Sequence, residues 1–405
     1  MKKTIPFLAV EGRSSGYYSL LALLGAFILA SLGAFYYMEH HGHYVTGMSN
    51  QIVWGIPHVF AVFLIVAASG ALNVASISSA FNKKAYKPLA RLSGLLALAL
   101  LAGGLMILVL DLGRPERLVI AMTYYNLKSI FAWNMLLYNG FFAIVIVYIW
   151  TMMQRNLGQY TRIAGTAAFI WRLALTTGTG SIFGFIVARQ GYDAAIMAPM
   201  FIIMSFSFGL AIFLLVLMAS YNWTERPLGD AIFNRLRNLL GIFVAAVLFF
   251  VLTYHLTNLY AAQHHGFEAF ILMNGGIYTQ LFWIGQVIIG GIIPLVIFFT
   301  PALAKSRSLV GLGALMVIIG GLAQVYGIIV GGQAFPMEIF PGKEVIESTF
   351  ADGVIASYVP TLAETLLGLG GIAVALFLVA FCVKIMEFLP ASLADKDADP
   401  HYKAS

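Results

Sequence analysis

The sequence predicts an all-α integral membrane protein of about ten spanning helices, and three observations carry that prediction. First, 60% of the 405 residues are hydrophobic and only 10% are charged, where soluble proteins have roughly 25% charged residues. Mean hydropathy is accordingly +0.89. Second, the apolar residues fall in runs of about 20 or more, the length a helix needs to cross a bilayer. Third, the charges gather in the short segments between those runs. The length therefore reflects many spans in a single polytopic domain, 1–405, rather than several soluble domains.

The first apolar run follows MKKTIPFLAVEGRSSGYYSL and extends to about Met38 with no small-residue cleavage pattern, so it reads as a retained span rather than a signal peptide. The remaining spans read as 53–80, 89–111, 130–153, 163–188, 195–220, 237–260, 278–300, 308–332 and 361–386. An even number of spans puts both termini on one side. The longest connection, 333–360, is expected to form an ordered cap or a flap. Of the 23 Lys and Arg residues, 17 lie in the N-tail, the C-tail and the loops near 81–91, 154–162, 221–237 and 301–307. The alternate loops hold Arg114, Arg117, Lys128, Arg189 and Lys343, and Arg172 lies within a span. The excess of positive charge predicts both termini in the cytoplasm of a multi-pass protein of the cytoplasmic (inner) membrane. The segments MEHHGHYVTG, DLGRPER and 333–360 then face outwards.

Composition also excludes chemistry. The one cysteine, Cys382, cannot form an internal disulfide, ligate an iron–sulfur cluster or supply a CxxCH haem attachment. No haem or iron–sulfur cluster is expected in this protein. The pI near 9.2 comes from basic residues scattered in short loops, so no nucleic-acid partner is implied; the partner surface is the lipid bilayer.

A polar group within hydrocarbon costs several kcal/mol unless paired, which makes each one a functional candidate. His58 is expected about two turns below the outer end of the second span, roughly 10 Å deep at 1.5 Å per residue. Asp111 ends the third span, Asn134 and Tyr138 share one face of the fourth at i and i+4, and Arg189 closes the fifth. These groups converge on one outer layer. The plain alternatives are a structural histidine and an Asp111–Arg114 salt bridge where Pro115 stops the helix. A second set, Arg172, His255 and Glu364, is assigned to proton transfer or internal pairing, with Gln324 and Tyr326 in the ninth span beside it. Thr176, Thr177, Thr179 and Ser181 above Arg172 read as hydroxyls bonded back to their own helix, and Trp54, Trp150 and Trp223 as interfacial belts.

DLGRPER, followed by Asn126, Ser129 and Trp133 in NLKSIFAW, resembles the Asp-x-Gly-Arg-Pro motif of the NrfD/PsrC family, the membrane subunits of polysulfide-reductase-like complexes. GYDAAIMAPMFIIMSFSFG resembles a later helix of that family. The stretch GGQAFPMEIFPG…PTLAETLLGLGG is most similar to DsrP, from the branch associated with dissimilatory sulfite reductase. The resemblance covers about 50–390. It implies two four-helix bundles plus flanking helices, here spans 2–5 (about 53–188) and 6–9 (about 195–332). It further implies a non-covalent quinone, menaquinone or ubiquinone, held near the outer surface of the first bundle by His58, Asp111, Arg114, Asn126, Ser129, Trp133, Asn134, Tyr138 and Arg189. Implied partners are a periplasmic ferredoxin-like iron–sulfur subunit, a multihaem cytochrome c and further membrane and cytoplasmic redox subunits. The expected function is quinol–electron exchange in a respiratory redox complex of sulfur metabolism. A b-haem anchor held by His58 and His255, and a secondary transporter, stand as alternatives.

Overall fold

The computed structural model describes residues 5–337, 354–399 and 402. The centre of the expected outer loop, 338–353, with Lys343, lies outside the described residues. The helices of membrane length are α1 (Ser15–His41), α2 (Ile56–Ser79), α3 (Lys84–Leu110) and α4 (Ile130–Met153), then α5 (Thr161–Gly184). They continue as α6 (Met197–Trp223), α7 (Asp230–Tyr260), α8 (Ile277–Phe299), α9 (Arg307–Ala334) and α10 (Leu362–Ile385). Among the described residues, nine are long and apolar enough to cross a membrane. The exception, α5, is 24 residues long and packs between α4 and α6. Its polar ladder lowers its hydropathy without leaving polar groups bare. Thr176 and Thr179 donate to the carbonyls of Arg172 at 2.7 Å and Leu175 at 3.0 Å, as expected for hydroxyls inside a helix.

The two ends of the protein meet. Strand β1 (Phe7–Leu8) pairs antiparallel with β2 (Leu389–Pro390), so the two tails lie at the same end of the helices and an even number of crossings joins them. Counting α5 with the nine satisfies that parity. The basic segments collect at this end. Arg226 donates to the carbonyls of Leu8 and Ala9 and to those of Leu389 and Pro390. Arg91 reaches the carbonyls of Met152 and Glu387, and Arg235 pairs with Asp399 at 2.9 Å. The molecule is a multi-pass integral membrane protein.

Packing explains why α2 is so deeply buried: it runs against α3, α6 and α10. The α2–α6 crossing is very close, because a Cβ at Gly70 would collide with the Ser205 carbonyl and one at Gly209 with the Gly70 backbone. Small residues permit such backbone contact where lipid provides no hydrophobic drive for association. Among the described residues, the C-terminal half departs from regular α geometry in three π-helical stretches, Phe270–Asn274, Leu281–Ile292 and Gly327–Gly331. Such wider turns redirect side chains and often mark functional sites.

Candidate functional site

At the end opposite the tails, the C-terminus of α3 meets the N-terminus of α2. Asp111 is the last residue that continues the helix, its N–H bonded to the Ile107 carbonyl at 3.0 Å. Gly113 then takes φ +67°, in the left-handed region that glycine adopts without penalty, and Pro115 opens a tight turn through Arg117. On α2, Gly55 is the extended N-cap and Pro57 lies in the first turn, where a missing N–H costs nothing. His58 therefore sits in the first turn of α2, shallower than the sequence suggested, because the helix starts at Ile56 and not near 53.

His58 Nδ1 lies 3.0 Å from Asp111 Oδ2, with the carboxylate side chain fully buried and 21% of the histidine side chain exposed. The contact has ion-pair distance but not hydrogen-bond alignment. Asp111 Oδ1, Asp111 Oδ2 and His58 Nδ1 are all buried without a hydrogen-bond partner among the described residues. Buried polar atoms are normally satisfied, so an acceptor left open in this way points to chemistry or a ligand.

Trp54, one turn before His58, stacks on the imidazole with ring centroids 6.2 Å apart and planes 29° apart. Phe131 at the start of α4 and Phe183 at the end of α5 close around the indole at 6.0 and 6.1 Å. The ring of Trp54 thus forms a wall beside His58. Such a wall offers a stacking face to a flat aromatic ring, and the exposed part of the His58 ring beside it can meet a hydroxyl or carbonyl oxygen.

The expected Asp111–Arg114 salt bridge does not form. The reversal at Gly113 carries Arg114 to an exposed position, and no ion pair among the described residues joins it to Asp111. Asn126, Ser129 and Trp133 shape the turn before α4. Asn126 Oδ1 accepts from the Lys128 N–H, the Ser129 N–H bonds the Asn126 carbonyl, and Trp133 Nε1 donates to the Leu127 carbonyl. Asn134 is buried and ties α4 to α5: Nδ2 donates to the carbonyls of Ile130 and Gly178, and Oδ1 lies 3.4 Å from the Thr179 hydroxyl. Tyr138 is buried one turn deeper. Arg189 is a clasp, donating to the carbonyls of Gln333 at 2.8 Å and Gln51 at 3.1 Å. Partial burial lowers its pKa below the usual guanidinium range, while burial raises that of the neighbouring Tyr192 hydroxyl.

The second set does not assemble into one path. Arg172 is fully buried between α2, α5 and α6, donating to Asn73 Oδ1 at 2.9 Å with Phe169 and Phe206 against its guanidinium. Glu364 caps α10 and clamps the loop before α2. Its carboxylate accepts from the Gly47 N–H, the Thr361 N–H and hydroxyl, and the Tyr358 hydroxyl. Four donors leave that carboxylate a structural anchor rather than an open proton acceptor. The Tyr358 hydroxyl also accepts from the Ile56 N–H at 2.7 Å, and burial followed by the Glu364 carboxylate raises its pKa.

His255 finds a partner the sequence did not reveal. Its Nδ1 lies 2.7 Å from Glu268 Oε2, and Asn258 Nδ2 donates to Glu268 Oε1 at 2.8 Å. Glu268 is wholly buried. A cavity of about 40 Å³ adjoins this pair, lined by Tyr254, His255, Phe282, Gln286 and Gln324 among others. Gln324 Nε2 is buried without a partner among the described residues. His58 and His255 thus each face a separate carboxylate, and the structure does not bring the two rings together.

Residues 44–337 match the family model described as polysulphide reductase, NrfD. The sequence is 28% identical to the Hdr-like menaquinol oxidoreductase integral membrane subunit of Archaeoglobus fulgidus, over 95% of this protein and 97% of that one. It is 27% identical to a putative dimethyl sulfoxide reductase membrane subunit of Halobacterium salinarum, covering 95% and 93% of the two proteins. A polysulfide reductase polypeptide of Wolinella succinogenes is 24% identical over 71% of this protein and 96% of its own length. All three relatives carry the names of oxidoreductase components.

Proposed function

Because the protein belongs to the polysulphide reductase NrfD family, we propose that it is the quinol-binding membrane subunit of a multi-subunit respiratory complex, with its quinone site at His58, Asp111 and Trp54. The observation that carries this reading is the buried Asp111 carboxylate, 3.0 Å from a partly exposed His58 and without a hydrogen-bond partner among the described residues. A bound quinol supplies two electrons and two protons on oxidation. His58 takes the two protons in turn near neutral pH, releasing the first to solvent at its exposed side before the second arrives. Asp111 orients the ring and balances the charge it gains, the arrangement of a base with its orienting carboxylate. Trp54, backed by Phe131 and Phe183, offers the flat surface for the head group. Burial shields the carboxylate, while the exposed part of the His58 ring stays within reach of a ligand or water.

Electrons leave this polypeptide. One cysteine cannot hold an iron–sulfur cluster, so the acceptor belongs to a partner, and the resemblance names a periplasmic ferredoxin-like subunit with a multihaem cytochrome c beyond it. The relative from Archaeoglobus favours menaquinol as the quinone class, and the polysulfide reductase relative favours a role in sulfur metabolism. The basic tail-bearing end faces the cytoplasm in this reading, which puts His58 on the periplasmic side. A second role, proton transfer, rests on the His255–Glu268 pair and its adjoining cavity, large enough for a few waters by the usual measure of about 10–15 Å³ each.

The test is oxidation of a menaquinol analogue by the tagged complex purified from its native host, with a dye as electron acceptor. His58→Ala should lose turnover and raise KM while subunit stoichiometry stays intact. An assembled complex with normal turnover would refute the reading. A b-haem band in the reduced-minus-oxidised spectrum of the isolated subunit would favour a haem anchor instead.

A further inference from the structure

We propose that Gln333, on the last turn of α9, is a positioning residue that sets the Trp54 wall and through it the affinity of the site for its quinol; this rests on the quinone reading above. Gln333 is 1% exposed. Its Oε1 accepts from the N–H groups of both Val53 and Trp54, each at 3.0 Å. Its Nε2 donates to the Trp54 carbonyl at 3.0 Å and to the Ile329 carbonyl of its own helix at 2.8 Å. A side-chain amide has two acceptor lone pairs and two N–H donors, and here all four are used. Three of the four hold the backbone that carries the indole.

The bracket is reinforced on both sides. Arg189 fastens the Gln333 carbonyl to the Gln51 carbonyl, and Gln51 Nε2 donates to the Ala334 carbonyl at 3.2 Å. Residues 51–54 are therefore docked on the end of α9, just ahead of His58 in sequence. The start of α2 itself is held separately, by the Tyr358 hydroxyl on the Ile56 N–H. His58 faces Asp111 from that independently anchored helix. Loss of the Gln333 bracket thus releases the wall and leaves the base where it is.

This division predicts a split between binding and turnover. Gln333→Leu keeps the bulk and removes all four bonds. The KM for the menaquinol analogue should rise about tenfold, the equivalent of one to two hydrogen bonds at about 1 kcal/mol each, while kcat falls less than about threefold. Gln333→Glu sets a buried carboxylate oxygen against the Trp54 and Ile329 carbonyls, where it repels both, so its KM should rise at least as far as that of Gln333→Leu. Normalising to assembled complex guards against a variant that merely assembles poorly. In a Trp54→Ala background, Gln333→Leu should have no further effect on KM, since residues that act through one another are not additive. Additive effects, or equal losses in kcat and KM, would overturn the proposal. If Trp54→Ala and His58→Ala leave KM unchanged, the quinone reading fails first; if they raise it and both Gln333 variants do not, only this inference falls.

Discussion

Replacing Asp111 by Asn keeps the shape of the side chain and removes its charge, which isolates what the buried carboxylate contributes. At the observed 3.0 Å, a full ion pair with His58 is worth about 332/(20 × 3.0), or ~5.5 kcal/mol, at an effective dielectric near 20. That is an upper value, because 21% of the histidine side chain remains exposed and water screens the pair. Halving it leaves about two powers of ten in rate at ~1.4 kcal/mol each, the lower part of the 10²–10⁴-fold range typical of general base catalysis. The expected outcome is a kcat loss of about 10²-fold with KM changed by less than about threefold, since the amide that replaces the carboxylate would preserve packing against α2. Stopped-flow oxidation of a menaquinol analogue by the assembled complex measures it. Arg114→Gln is the control: its guanidinium is exposed and unpaired with Asp111, so turnover should stay within about twofold, as for most surface charges. Normal turnover in the Asp111 variant, or an equal loss in the Arg114 variant, would refute the His58–Asp111 mechanism.

Arg172→Gln should leave the quinol KM within about twofold yet lower the amount of assembled complex, because Asn73 Oδ1 loses its buried donor. Tyr358→Phe strands the Ile56 N–H and one Glu364 oxygen, costing about 1–3 kcal/mol, read as a lower unfolding midpoint of the purified complex. The raised Tyr358 pKa adds a sign: the folded hydroxyl keeps its proton when the unfolded one ionises near pH 10, so this contribution is complete below that pH and fades above it. Reporter fusions should read periplasmic at Gly42 and cytoplasmic after Ser405; a periplasmic C-terminus would place the site on the other face.

Much of the helical framework was legible because hydropathy and span length are local properties. So was the halt of α3, since Asp, Gly and Pro in DLGRPER each oppose a further helical turn. The side-chain pairings were less legible. Arg114 is three residues from Asp111, and the chain reversal through Gly113 parts them. Glu268 lies in a polar connection, AAQHHGFEAF, where a carboxylate reads as solvated; the fold buries it beside His255. Gln333 is an uncharged residue in a glycine-rich run, and its value comes from matching backbone groups of a segment 280 positions earlier. The place of Trp54 in a wall beside His58 was not legible, because its neighbours Phe131 and Phe183 come from other helices.

The union of the two tails has a consequence for biogenesis. Helix α1 is made well before its main partner, α10, and most of its surface faces away from the rest of the protein. During synthesis α1 therefore lacks its main partner while the helices between them are inserted and packed. The clasp of Phe7–Leu8 on Leu389–Pro390 can close only after translation has passed α10. A product truncated before Leu362 would insert most of its spans and still leave α1 adrift, recognisable to membrane quality-control proteases as an unpartnered helix.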